Sequence, residues 1–247
     1  MIRIFKKTIL YSSLCIILIV FVLAIPQLFH VNKGDSVSLG NRFKGSLENG
    51  YLLPYSGENF NSFSWISYYL MDNAYVNNKV GKVVLEAYKN LASLHPENHY
   101  VYMECSDRYG GRLNFHRSHR NGLSIDFMCP KIMDNERYTD LDDWGFAHYF
   151  LEFDAKGVLL VKYPFLNHVS SKLATLFSQL FLPQGVSIDY ERIAQHLLIL
   201  QKATKGSPVS IRKVILKIEF KDKLFKGVYG KKLLQSGIPF ATKLSKT

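Results

Sequence analysis

The chain has 247 residues, 47% of them hydrophobic and 14% aromatic. That composition excludes a disordered or fibrous polypeptide and allows one sizeable packed domain. The formal net charge is +11, and it is uneven: from Lys202 onward there are 12 basic and 2 acidic side chains, while the rest is near neutral. Such a stretch suits an anionic polymer or lipid headgroups, or is simply a solvated face; with no nucleic-acid-binding module beside it, no nucleic acid is expected as a partner.

The first seven residues carry Arg3, Lys6 and Lys7, and the 22 residues from Thr8 to Phe29 carry no charge. A basic flank before an apolar run is an export signal, and about 20 apolar residues also span a bilayer. Leu23-Ala24-Ile25-Pro26 is a poor small-residue cleavage site. Residues 1–29 therefore read as a signal anchor in preference to a cleaved signal peptide, with the membrane contacted through residues 8–29. The positive flank keeps the N-terminus in the cytoplasm and sends the rest to a periplasmic or other extracytoplasmic location at the inner membrane. In that compartment Cys105 and Cys129 are either a disulfide or two buried thiols.

Residues 30–50 are polar and read as a linker or leading loop. Tyr51 begins a short extended piece that turns at Gly57. From Val76 to Leu94 the apolar residues Val80, Val83, Val84, Ala87, Tyr88 and Leu91 fall at helical spacing, and His95-Pro96 ends the helix. Tyr100 to Cys105 reads as a strand, Ser106 to Asn121 as a loop turning at Gly110-Gly111, and Leu123 to Cys129 as a second strand stopped by Pro130. Asp140 to Trp144 is an acidic loop. Phe146 to Asp154 and Gly157 to Tyr163 read as a hairpin, and Val169 to Leu182 as a short helix or irregular chain. Asp189 to Lys205 is a helix with Ser187 or Asp189 as its cap. Ile211 to Phe220 reads as a strand, followed by a helical turn to Phe225. Helices and strands mix without regular alternation, so the class is α+β: a small antiparallel sheet flanked by helices, after an N-terminal membrane helix.

The chemistry concentrates in Gly110-Gly-Arg-Leu-Asn-Phe-His116-Arg-Ser-His119-Arg-Asn-Gly122-Leu-Ser-Ile-Asp126. A carboxylate between Ile125 and Phe127 needs a partner or a metal if it is buried, and otherwise faces solvent. His119 lies seven residues upstream, roughly 23 Å in extended chain. Two ligands of one zinc lie within about 4 Å of each other, so the chain must fold back between them. Asn121-Gly122 supplies that turn. A loop histidine, a glycine turn and an aspartate then make a workable pair of metal ligands.

In Gly110-Gly111, Ser118-His119, Gly122 and Asp126 the segment resembles the penicillin-insensitive murein endopeptidases. These belong to the wider lysostaphin, D-Ala-D-Ala peptidase and hedgehog-type metallopeptidases. The resemblance extends over about Gly50 to Leu224. It implies Zn2+ held by His119 and Asp126, with His116 as an auxiliary histidine near the site. It also implies a hydrolase acting on peptide cross-links of peptidoglycan, on a sheet that carries the metal. Residues 51–247 are then a metallopeptidase-like domain.

That family takes a further ligand from a later His-x-His, and here no histidine follows His196. Three readings stay open: a chain shorter at its C-terminus than its relatives, a substitute ligand such as His148 or His196, or a catalytically inactive relative. The last would serve as a module binding peptidoglycan, anionic wall polymer or the membrane surface. His196 sits on an apolar helix and reads as a packed side chain. His95, His99 and His168 read as loop or helix-end residues.

Overall fold

A computed structural model describes residues 2–113, 116, 118–160 and 182–242. It is a mixed α and β protein with small sheets and an apolar N-terminal helix, and its residues form two compact units. The expected helix from Val169 and residue His168 lie outside the described residues, as do the last three positions of the expected hairpin.

The first unit contains Met1–Tyr55, Ser64–Asn78 and Met103–Asp126. It begins with helix α1 (Ile2–Leu28), of which Lys7–Leu28 is long and apolar enough to cross a membrane or act as a signal. Its apolar side chains from Ile9 onward are mostly exposed, as a surface meant for lipid would be. The last turns differ. Ala24 and Gln27 are buried, and the Gln27 amide donates to Asp72 while its oxygen accepts from the Tyr75 hydroxyl. Just beyond, Asn32 donates to the Leu52 carbonyl and accepts from the Leu52 amide.

Within the stretch expected to be a linker, β1 (Val37–Gly40) and β2 (Gly45–Glu48) pair as a hairpin. Composition alone missed it: only one side chain, Leu47, is fully buried there, so the polar character dominates the local sequence. β3 (Tyr51–Leu52) pairs antiparallel with Tyr75–Val76 around the buried Leu47, Leu53, Tyr75 and Val76.

The second unit contains Ser56–Phe63, Lys79–Tyr102 and Phe127–Thr247. Phe60–Ser62 pairs in parallel with Tyr100–Tyr102, not antiparallel as a local meander would have it. The helix Asn78–Leu94 follows the apolar spacing read from the sequence, and so does Tyr190–Thr204. Asp189 caps the latter, its carboxylate accepting from the Arg192 amide. Tyr88 and Phe60 stack with centroids 4.5 Å apart, and His196 lies 4.6 Å from Tyr100 and 4.8 Å from Phe127.

The expected hairpin shrinks to Glu152–Phe153 against Leu159–Leu160. The acidic loop opens a 3-10 segment, Asp142–Phe150, broken at Gly145. The strand expected from Ile211 to Phe220 does not form: Val214 makes one bridge to Phe240, and a helix begins at Ile218. Alternation without a neighbouring strand to accept its backbone bonds is not enough to make a sheet.

Candidate metal centre

His116, His119 and Asp126 all belong to the first unit and lie in irregular backbone between Met103 and Asp126. The strands expected on either side are correspondingly shorter. Only Tyr100–Tyr102 remains of the first, and only a single bridge, Tyr102 to Phe127, of the second. Burial does not alternate along Leu123 to Cys129 as it would on a half-buried strand: Leu123 is exposed and Met128 is buried.

Backbone bonds fix this segment instead. The Leu47 amide donates to Tyr109 O at 2.8 Å, and the Gly111 amide to Arg120 O at 2.9 Å. Asn77 donates to Gly122 O at 2.8 Å. Met103 donates to Asp126 O at 2.7 Å, and Asp126 returns a bond to Glu104 O at 3.0 Å. Gly110 and Gly122 have φ near +71° and lie against backbone, positions that a Cβ would crowd. His119 itself has φ +72°, an uncommon conformation for a residue with a side chain. That is a local strain of the kind that collects at functional sites.

The folded-back loop brings His119 Nε2 to 3.3 Å from one Asp126 oxygen, and His116 Nδ1 to 3.9 Å from the other. One ligand atom from each of the three residues lies within 4.8 Å of the others. Two donors about 2 Å from a tetrahedral zinc are roughly 3.4 Å apart, so the cluster is close to the size such an ion needs. Two imidazoles and a carboxylate are also a donor set that zinc accepts. His119 is buried, and its Nδ1 has no hydrogen-bond partner among the described residues. Asp126, with 42% of its side chain exposed, leaves the cluster open toward solvent. These residues fit a metal ion.

The pair expected from the sequence lies together, and the auxiliary His116 joins it in one group that could hold a metal ion. Neither substitute considered from sequence joins the group: His148 and His196 belong to the second unit. Burial pushes each of their pKa values down to about 3, and the Nε2 of each lacks a hydrogen-bond partner among the described residues. The three cysteines are free thiols, so the disulfide alternative falls and the buried Cys105 thiol is held well above its usual pKa by burial.

The packed reading of His196 carries a pH consequence. The unfolded chain protonates this group near 6.5 and the folded chain only near 3, so the unfolded state binds more protons between those values. Stability is full above about pH 6.5 and falls with decreasing pH by about 1.4 kcal/mol per unit for this one group. Urea denaturation of His196→Gln from pH 7 to 4 is expected to show a slope smaller by about one proton than the parent's. An unchanged slope would remove His196 as the source.

Glu104 was missed by the sequence reading. It is 2% exposed, with Oε2 3.7 Å from His116 Nε2. Its carboxylate raises the His116 pKa; burial opposes the rise and Asp126 adds to it. The signal was present, since a single carboxylate in Tyr-Val-Tyr-Met-Glu-Cys poses the same burial problem that drew notice to Asp126.

Compared with known proteins, the chain matches no family model, and no curated protein matches it.

Proposed function

We propose that this protein is a zinc-dependent endopeptidase acting on the peptide cross-links of peptidoglycan, attached to the membrane by α1 with the residues beyond it on the extracytoplasmic side. The carrying observation is the convergence of His116, His119 and Asp126 within 4.8 Å. The choice of substrate rests on the resemblance of Gly110-Gly111, Ser118-His119, Gly122 and Asp126 to the murein endopeptidases.

His119 and Asp126 would hold the ion, with His116 completing the protein donors. When bound, zinc supplies Lewis acidity toward a scissile carbonyl and makes water acidic near neutral pH. The buried His119 fixes one side of the site, while the half-exposed Asp126 leaves room for a peptide to approach. A carboxylate beside the site, such as that of Glu104, is the kind of group that would pass a proton to the leaving amine.

The test is digestion of purified sacculi by the full-length protein in detergent. Cross-linked muropeptides should fall to uncross-linked products, stop doing so on chelation, and resume with added Zn2+. Intact cross-links from protein carrying one zinc per chain would rule out the peptidase.

One observation favours a second reading, a binding module without activity. Lys202, Lys205, Arg212, Lys213, Lys226 and Lys231 are all exposed in the second unit. In that case zinc-free protein would still co-sediment with sacculi, and the retention would fall with salt.

A further inference from the structure

The geometry points to Glu104 as the positioning residue of the metal centre, holding His116 by one ring nitrogen so that the other is presented to the ion. This rests on the metal-site reading above and deepens it.

The argument begins with backbone. The Met103 amide donates to Asp126 O at 2.7 Å, and the Asp126 amide donates to Glu104 O at 3.0 Å. The Glu104 main chain is therefore paired with that of a metal donor and cannot drift from it. From this fixed position its side chain reaches His116, with Oε2 3.7 Å from Nε2, while His116 Nδ1 faces Asp126 at 3.9 Å. The imidazole thus lies between two carboxylates, one on each nitrogen. The 3.7 Å gap is longer than a formed hydrogen bond, and a sub-ångström ring shift closes it.

The energetics favour the same assignment. A carboxylate only 2% exposed carries a desolvation cost of several kcal/mol unless a positive or strongly donating group faces it. The imidazole N–H of a metal-bound histidine is such a donor, because the ion withdraws charge from the ring. In return the carboxylate fixes the tautomer, with the proton on Nε2 and the lone pair on Nδ1. His116 sits in irregular backbone with its side chain 22% exposed, so no regular element sets the direction of its ring. Asp126 and His119 gain nothing comparable from Glu104. Its effect on metal binding runs through His116.

The experiment measures zinc affinity of the full-length protein in detergent by competition with a chromophoric chelator. It compares the parent with Glu104→Gln, Glu104→Ala and Asp126→Asn. The expected loss for Glu104→Ala is about 10–100-fold, in the range found when such outer partners are removed. Glu104→Gln keeps an acceptor oxygen and the side-chain volume, so its loss should be smaller. The second readout is the His116 tautomer, from nitrogen-15 spectra of histidine-labelled, metal-free protein at a pH alkaline enough for the ring to be neutral. A single Nε2–H form is expected in the parent, and a mixture in Glu104→Ala, or in Glu104→Gln alone should the alanine variant fail to fold. Unchanged affinity and tautomer in Glu104→Gln and Glu104→Ala, with Asp126→Asn impaired, would overturn the role of Glu104 and leave the metal site standing. No zinc bound by the parent would bring down both.

Discussion

Replacing His119 with alanine is expected to abolish stoichiometric metal binding. The parent should retain about one zinc per chain after gel filtration, and the variant close to none. Three protein donors become two, and the donor removed is the one with the shortest contact to Asp126, at 3.3 Å. It is also the most buried of the three, so water cannot substitute for it without entering a closed position. The loss should exceed 100-fold in affinity, more than the outer-partner range expected for Glu104. His119 has a strained backbone, so a folding defect has to be separated from a binding defect. Asp126→Asn serves that purpose: its side chain is 42% exposed, and the change preserves shape while removing the charge. Metal loss in both variants with unchanged circular dichroism locates the site. Full zinc occupancy in both would dismiss it.

The second large effect concerns the turn. Gly122→Ala is expected to destabilise the fold by about 2–4 kcal/mol, combining an unfavourable left-handed backbone with overpacking. At φ +71° a Cβ would lie 2.8 Å from the Asn77 nitrogen and 2.8 Å from a Leu47 methyl. The first contact is with backbone that itself donates to Gly122 O, so it cannot yield without breaking that bond. Both Leu47 methyls lie within 3 Å of that position, and Leu47 is 1% exposed. Because this turn folds Asp126 back toward His119, zinc affinity should fall together with the thermal midpoint. Gly185→Ala is the comparison. It also has a positive φ, but a Cβ there meets nothing within 4 Å, so only the smaller conformational cost applies. Equal midpoints for the two variants would show that crowding at Gly122 is not the cause.

The two long amphipathic helices were legible because their signals are local. The stripe from Val80 to Leu91 and the Asp189 cap sit within a few residues of what they specify. Strands were less legible. Tyr100 to Cys105 has strand composition throughout, yet its ladder ends at Tyr102, where the parallel partner Phe60–Ser62 ends. A distant segment decides that limit, and the local residues do not encode it.

The pairing of His119 with Asp126 was legible because residue type and a glycine turn together constrain a short loop. His116 was legible only as a neighbour. His116 and His119 are three apart in irregular chain, and such spacing fixes no distance until Leu47, Asn77 and Glu104 tie the loop down through their backbones. Glu104 was hidden for a related reason. Its significance depends on a residue 12 positions away, and burial of a single glutamate says that a partner exists without saying which.

The docking of Gln27 and Asn32 bears on how this molecule would work at a bilayer. A helix joined to its cargo by slack chain lets that cargo swivel and sweep a wide volume. Here the amide at the foot of the helix is locked to Asp72 and Tyr75, and Asn32 clasps Leu52 a few residues on. Helix and first unit must then tilt as one piece, like a post set in a socket. If that post spans a bilayer, His116 and His119 keep a set height above the lipid, and only what passes through that thin layer comes within their reach.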